Sequence, residues 1–336
     1  MVYKLWSGLS SETGMVQSDL ARQRLRIPVQ AALLILLFIT ATTTRAESPV
    51  PARSYSVLSY NVHGLFRLIA KDNPGDRSPI IGWLASSYDI VLLQEDFEYS
   101  DVIAAQLRHH SRFRGKGIGW DLRRVAAKVL LFPFQLLIPR FSPPYGAGLT
   151  TSVGADLTAD PVASRKSYTD CSGWLGGTGD CWANKGFLRV RIRTPEGAEV
   201  DVYNTHMEAG ASEQSIAIRH KQFNHLADAI DAWSPGQALI VAGDFNSDLR
   251  RPGDQTNLMH FRNRLGLRDS GAGPELPYWR ERNYIFYRDS STVTLTVAEA
   301  GEALEFTRGH HALSDHPALF ARFHIVQTPH IVSAGQ

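Results

Sequence analysis

The chain has 336 residues, an ordinary apolar content and a formal net charge of +2, which is room for one large domain or two small ones. So mild a charge argues for no polyanionic partner on its own. Composition and the lack of any low-complexity tract place the chain among soluble globular proteins.

The first 46 residues stand apart. Arg22, Arg24 and Arg26 precede an apolar run from Ala31 to Ala41, and Thr44-Arg45-Ala46 puts small residues where a signal peptidase reads. Basic flank, short apolar core and small-residue exit read as a secretory signal peptide over residues 1–46. The run is short for a spanning helix, which needs about 20 residues. Periplasmic or extracellular export is therefore expected, with an uncleaved anchor over residues 29–44 as the alternative. Residues 47–336 are left as one catalytic domain. Cys171 and Cys181 are the only cysteines, and in an exported chain they are expected to form one disulfide.

Taken in order, Ser54 to Asn61 alternates and ends in a polar tip, and Tyr88 to Leu93 is a buried strand closed by Gln94-Glu95. Helices are expected over 76–88 and 99–109. Trp120 to Pro144 mixes Arg123, Arg124, Lys128 and Arg140 with a dense apolar run and prolines at 133, 139, 143 and 144. The prolines are expected to break any long helix. Two readings stay open for this segment, a core-packing insertion and a basic, apolar flap facing a membrane. A strand follows at 146–153, then an ordered Gly- and Ser-rich loop at 165–183. Residues 187–193 and 199–204 alternate like a hairpin, with Asn204-Thr205-His206 at its end. Ser212 to Trp233 is a long amphipathic helix. Ala238 to Asp244 reads as a buried parallel strand delivering Asp244 and Asn246 to a sheet edge. A helix at 258–265, a strand at 284–287, a hairpin around 292–307, a polar loop at 310–316 and a strand at 318–325 complete the chain.

The strand tips carry Asn61, Glu95, Asn204 with His206, Asp244 with Asn246, and Asp315 with His316. Gathered at one rim of two facing sheets, they suit metal-assisted attack of water on a phosphodiester. A hard divalent cation takes carboxylate and amide oxygens, and two histidines can divide the proton transfers near neutral pH. His63, His109, His110, His220, His225 and His260 read as surface or helix histidines.

Tyr60-Asn61, Gln94-Glu95, Asn204-Thr205-His206, Gly243-Asp244-Phe245-Asn246 and Ser314-Asp315-His316 resemble, in order, the motifs of the endonuclease/exonuclease/phosphatase superfamily. The resemblance spans about residues 54–325. It implies an α/β, four-layered sandwich of the DNase I type, two packed β-sheets flanked by helices. It implies Asn61, Glu95 and Asp315 at a Mg²⁺ site that also takes Mn²⁺ or another divalent ion. His316 matches the base that activates water, and His206 the acid or phosphate-contacting histidine. Asp244 matches the orienting carboxylate and Asn246 the phosphate-binding amide. In one departure, Asn283 stands before Tyr284-Ile285-Phe286 where many members have Asp. An amide can orient a histidine but cannot stabilise its cation by charge.

Cys181-Trp182-Ala183-Asn184-Lys185-Gly186 and the stretch from Tyr203 to Gly210 are similar to secreted bacterial neutral sphingomyelinases. That resemblance implies a phospholipid or sphingolipid substrate, with Lys185 and Asn204 contacting it. A secreted Mg²⁺-dependent endonuclease is the rival, with Arg280, Arg282 and Arg288 beside Tyr278, Trp279 and Tyr287 as its candidate contacts to nucleic acid. An inactive binding module on the same fold is the third reading. No protein partner is implied.

Overall fold

The computed structural model describes residues 53–138, 140–174, 178–271 and 282–328. The expected leader over residues 1–46, and Tyr278, Trp279 and Arg280 of the candidate nuclease set, lie outside them. Strands β1 to β8 are Ser54–Asn61, Ile90–Gln94, Ser111–Arg114, Leu149–Val153, Thr158–Ala159, Ser164–Ser167, Gly186–Arg193 and Glu199–His206. Strands β9 to β15 are Ala238–Asp244, Arg268–Asp269, Asn283–Arg288, Val293–Glu302, Thr307–Arg308, His311–Ala312 and Leu319–Gln327. Helices α1 to α6 are Arg67–Ala70, Pro74–Ala85, Ser100–Gln106, Leu122–Leu137, Glu213–Trp233 and Pro252–Leu265.

One sheet runs β12-β15-β1-β2-β4-β3, and the other β10-β11-β9-β8-β7-β5 with β6 also paired to β7. Each has one parallel pair at its centre. Asn61 lies in register with Gln94 across β1 and β2, and His206 with Asp244 across β8 and β9. The strands alternate between two apolar environments. Val57, Leu92, Val202 and Ile240 pack between the sheets. Leu58 and Val91 face α2 and α3, packing on Ile81 and Ile103. Tyr203 and Val241 face α5 and α6, packing on Phe223, Leu226 and Phe261. Burial on both faces is why these strands read as near-continuous apolar runs. The result is the expected four-layered α/β sandwich.

Ends are set by local chemistry. Ser212 caps α5 by accepting from the Ser215 N–H at 3.1 Å, Pro252 opens α6, and Gly266, at φ +65°, closes it. The expected disulfide joins Cys171 to Cys181.

Two expectations are corrected. The segment 292–307 is not a hairpin, because β12 pairs with β15 throughout, and the small hairpin there is β13 with β14. Val293 and Leu295 of β12 join Phe323 and Ile325 of β15 in the layer between the sheets. The prolines also do not break the helix at 122–137, since α4 runs 16 residues with Pro133 inside it. Pro133 removes one backbone bond, while bonds from Arg124, Lys128 and Gln135 to carbonyl oxygens elsewhere pin the helix along its length.

Candidate active site

The side-chain parity that buries Tyr55 and Val57 between the sheets also directs Asn61 there. The same count carries Ile90 and Leu92 to Gln94, and Val200 and Val202 to Asn204 and His206. On β9 it carries Ala238, Ile240 and Ala242 to Asp244. On β11, Ile285 and Tyr287 face the same layer, so Asn283 does too. The polar tips therefore converge at one rim, where the apolar filling between the sheets ends. Gly243 permits the approach of β8 to β9: at φ +148°, a Cβ there would lie 2.0 Å from the Thr205 carbonyl oxygen.

Asn61 donates from Nδ2 to Glu95 Oε1 at 3.1 Å and to Asp244 Oδ2 at 3.0 Å, joining the two sheets. His206 Nε2 lies 3.6 Å from each of the same two oxygens. Its ring is buried, yet neither nitrogen has a hydrogen-bond partner among the described residues. Burial, then the charge of Lys185, lowers its pKa to about 4 against the pull of Asp244 and Glu95, so the ring is neutral at pH 7. Burial pushes the Glu95 carboxyl up, but the His63 hydrogen bond and nearby cationic groups outweigh it and hold the group well below the usual range. Asp244 Oδ1 accepts from the Asn246 N–H at 2.9 Å, and Asn246 Nδ2 donates to the Met207 carbonyl at 3.0 Å. His316 Nδ1 is 3.1 Å from Asn283 Nδ2 and 3.8 Å from Asp244 Oδ2.

Glu95, His206 and Asp244 each bring a ligand atom within 4.8 Å of the others. Two carboxylates and an unpartnered buried imidazole fit a divalent cation. Asp315 stands further out, half exposed, and meets Glu95 through His63, whose Nδ1 is 3.5 Å from a carboxylate oxygen of each. His63 is thus no surface histidine. The turn after β1, at φ +46°, folds it back into the site, and its sequence position two residues past Asn61 was the available signal. Glu95 and Asn246 also have positive φ, +55° and +51°, so strained backbone gathers here.

Lys185 is buried, paired with Asp180, and donates to the Met207 carbonyl at 3.0 Å. Asn204 is placed differently from the other tips. Its Nδ2 donates to the Leu93 and Thr150 carbonyls, both at 3.0 Å, and its Oδ1 accepts from Gln94 at 2.8 Å. Both N–H groups are taken, so it clamps the sheets together.

Of the candidate nucleic-acid contacts, Arg282 is exposed just before β11, and its carbonyl accepts from the Phe245 N–H at 2.8 Å. Arg288 pairs in register with Leu239, at the end of β9 away from Asp244, and it donates to the Leu265 carbonyl at 2.8 Å. Tyr287 packs on Phe323 between the sheets. Neither Arg288 nor Tyr287 belongs to the site.

A cavity of about 490 Å³ opens beside the rim, lined by Glu95, Lys185 and Asp180 on one side and by Ile69, Leu131 and Tyr145 on another. A larger groove of about 980 Å³, along Trp120, Arg124 and Trp174, contains none of the polar tips. The smaller cavity is the one joined to the chemistry.

No family model matches the chain. It is 28% identical over 308 residues to the sphingomyelinase of Mycobacterium bovis, covering 85% of this chain and 56% of that protein. The sphingomyelinase of Mycobacterium tuberculosis matches to the same extent. The chain thus spans little more than half the length of these curated relatives. The crystal structure of SmcL superposes with a TM-score of 0.56 at 17% identity, covering 80% of this chain and 98% of that one. Beta toxin from Staphylococcus aureus with bound magnesium ions gives 0.54 at 16%, covering 80% and 99%. D. rerio TDP2 complexed with a single-strand DNA product gives 0.58 at 16%, covering 80% and 98%.

Proposed function

We propose that this chain, which has a DNase I-like fold and resembles bacterial sphingomyelinases, is an exported, Mg²⁺-dependent phosphodiesterase. It cleaves the head group of a choline sphingolipid or phospholipid. The observation that carries this reading is the buried His206 ring between Glu95 and Asp244, without a hydrogen-bond partner among the described residues. A buried polar ring left unsatisfied costs stability, and a substrate phosphate or a cation would satisfy it. The sequence likeness to sphingomyelinases supports a lipid as substrate, and the leader supports export.

Asn61, whose Nδ2 donates to both carboxylates, orients Glu95 and Asp244, and these two, with His206 adjacent, would hold the cation. When bound, it neutralises phosphoryl charge and stabilises the departing oxygen. His316 takes a proton from water as that water attacks phosphorus. The structure has Asn283 Nδ2 facing Nδ1; the role of base needs the carboxamide turned over, so that its oxygen accepts from Nδ1–H and the Nε2 lone pair is free. His206 starts neutral, so it meets the phosphodiester as an N–H donor. The anion raises its pKa, and it passes a proton to the leaving oxygen as the P–O bond breaks. Asp244 steadies both histidines, and Asn246 presents its amide to a phosphoryl oxygen.

The test is phosphocholine release from sphingomyelin vesicles with Mg²⁺ and with chelator, beside plasmid nicking under the same conditions. Mg²⁺-dependent release without nicking is expected. Nicking without release would replace the lipid substrate by nucleic acid.

A further inference from the structure

Helix α4 is built inside out. Arg124, Lys128, Leu131 and Gln135, at spacings of four, three and four, line the side that faces the protein, with Val125 and Ala127 partly buried beside them. Three of the four are polar. Arg124 is buried and donates to the Cys181 and Ala183 carbonyls and to Asn184 Oδ1, each at 3.1 Å. Lys128 donates to the Ser142 carbonyl at 2.6 Å, and Gln135 to the Pro143 carbonyl at 3.1 Å. The apolar side chains point away: Val129, Leu130, Leu136 and Leu137 are each at least 70% exposed. An ordinary surface helix has the opposite arrangement, and a soluble monomer seldom shows so continuous an apolar patch.

We infer that α4 is an interfacial docking helix whose outer face enters the surface of a lipid bilayer. The inference rests on the lipid reading of the site above. Three observations select a bilayer. Leu131 of α4 and Ile69 of α1 both line the cavity that reaches Glu95 and Lys185, so docking here sets the mouth of the site against the head groups. Leu68, next to Ile69 on α1, is also exposed and adds apolar surface beside that lining. Exposed Arg123 lies in the first turn of a helix that has no acidic residue, which suits an anionic membrane surface, and exposed Trp120 stands at its start as aromatic anchors do at the interface. The helix is about 24 Å long, and among the described residues no helix is long and apolar enough to cross a membrane. It lies on the bilayer and does not span it. Arg124 fastens it to the stretch that carries Asp180 and Lys185, so docking holds that wall of the cavity in place.

The test uses the full chain and the double variant Leu130→Glu, Leu137→Glu, neither position lining the cavity. Cosedimentation is measured with vesicles of phosphatidylcholine, sphingomyelin and phosphatidylserine in chelator. Hydrogen exchange of residues 122–137 is followed with and without vesicles, and turnover of bis-p-nitrophenyl phosphate is measured with Mg²⁺. Expected are roughly tenfold weaker partitioning of the variant, slowed exchange across α4 on vesicles, and unchanged turnover of the soluble diester. Unchanged partitioning would overturn the inference, as would vesicle binding that leaves α4 exchange unaltered, since the leader would then carry it. Lipid-independent self-association abolished by the double variant would overturn it in favour of a second copy. Vesicle binding through α4 without phosphocholine release would instead defeat the catalytic reading and leave the docking surface standing.

Discussion

His206 and Asp244 end neighbouring parallel strands in register, and Nε2 of the one lies 3.6 Å from Oδ2 of the other. The pair is set by the backbone, while the ring itself has no partner among the described residues. His206→Ala should therefore reduce turnover by about 10²–10⁴-fold with little loss of melting temperature. Because burial lowers the folded pKa from 6.5 to about 4, the contribution of the neutral ring to stability is complete above pH 6.5 and is lost as pH falls toward 4. The variant should lose that acid sensitivity. Thermal melts across this range, with turnover at pH 7, check both.

Asn283 touches the Nδ1 of His316 without adding charge. Asn283→Asp would place a carboxylate there and raise the pKa of the ring. Since the base must be neutral, the acidic limb of the kcat/KM profile should move to higher pH. A limb that stays in place would remove His316 from the role of titrating base.

Glu95→Gln keeps the shape of the side chain and deletes a ligand charge. Mg²⁺ binding, measured by calorimetry in the absence of substrate, should weaken by at least about tenfold. An unchanged titration would move the cation away from Glu95.

Glu208 is buried beside Asp180, and burial first, then that charge, raises its pKa from 4.5 to about 7. The folded state thus holds a proton that the unfolded chain releases. Its stabilisation is present below pH 4.5 and is lost as pH rises toward 7. Glu208→Gln should flatten this part of the melting-temperature profile.

Arg124 makes three hydrogen bonds to the disulfide loop and the residues after it. Arg124→Ala should cost roughly 2–3 kcal/mol in denaturant unfolding, and Arg124→Lys should fail to restore it, because an ammonium lacks the planar fork. Full stability in either variant would mean that α4 is held by other contacts.

The strands and their tips were legible in the sequence for a simple reason. A strand buried on both faces must be apolar throughout, so the point at which Ile240-Val241-Ala242 gives way to Gly243-Asp244 marks a sheet edge. Alternation then assigns Asn61, His206 and Asp244 to the layer between the sheets. Three features depended on contacts distant in sequence. His63 is turned into the site beside Glu95 and Asp315. Asn204 donates both N–H groups to carbonyls of β2 and β4. Helix α4 forms despite Pro133 because its polar side chains find carbonyl partners elsewhere in the chain. Local periodicity determines which side of a strand or helix each residue occupies. Only the tertiary structure decides what that side meets, and for α4 it meets the protein with its polar face.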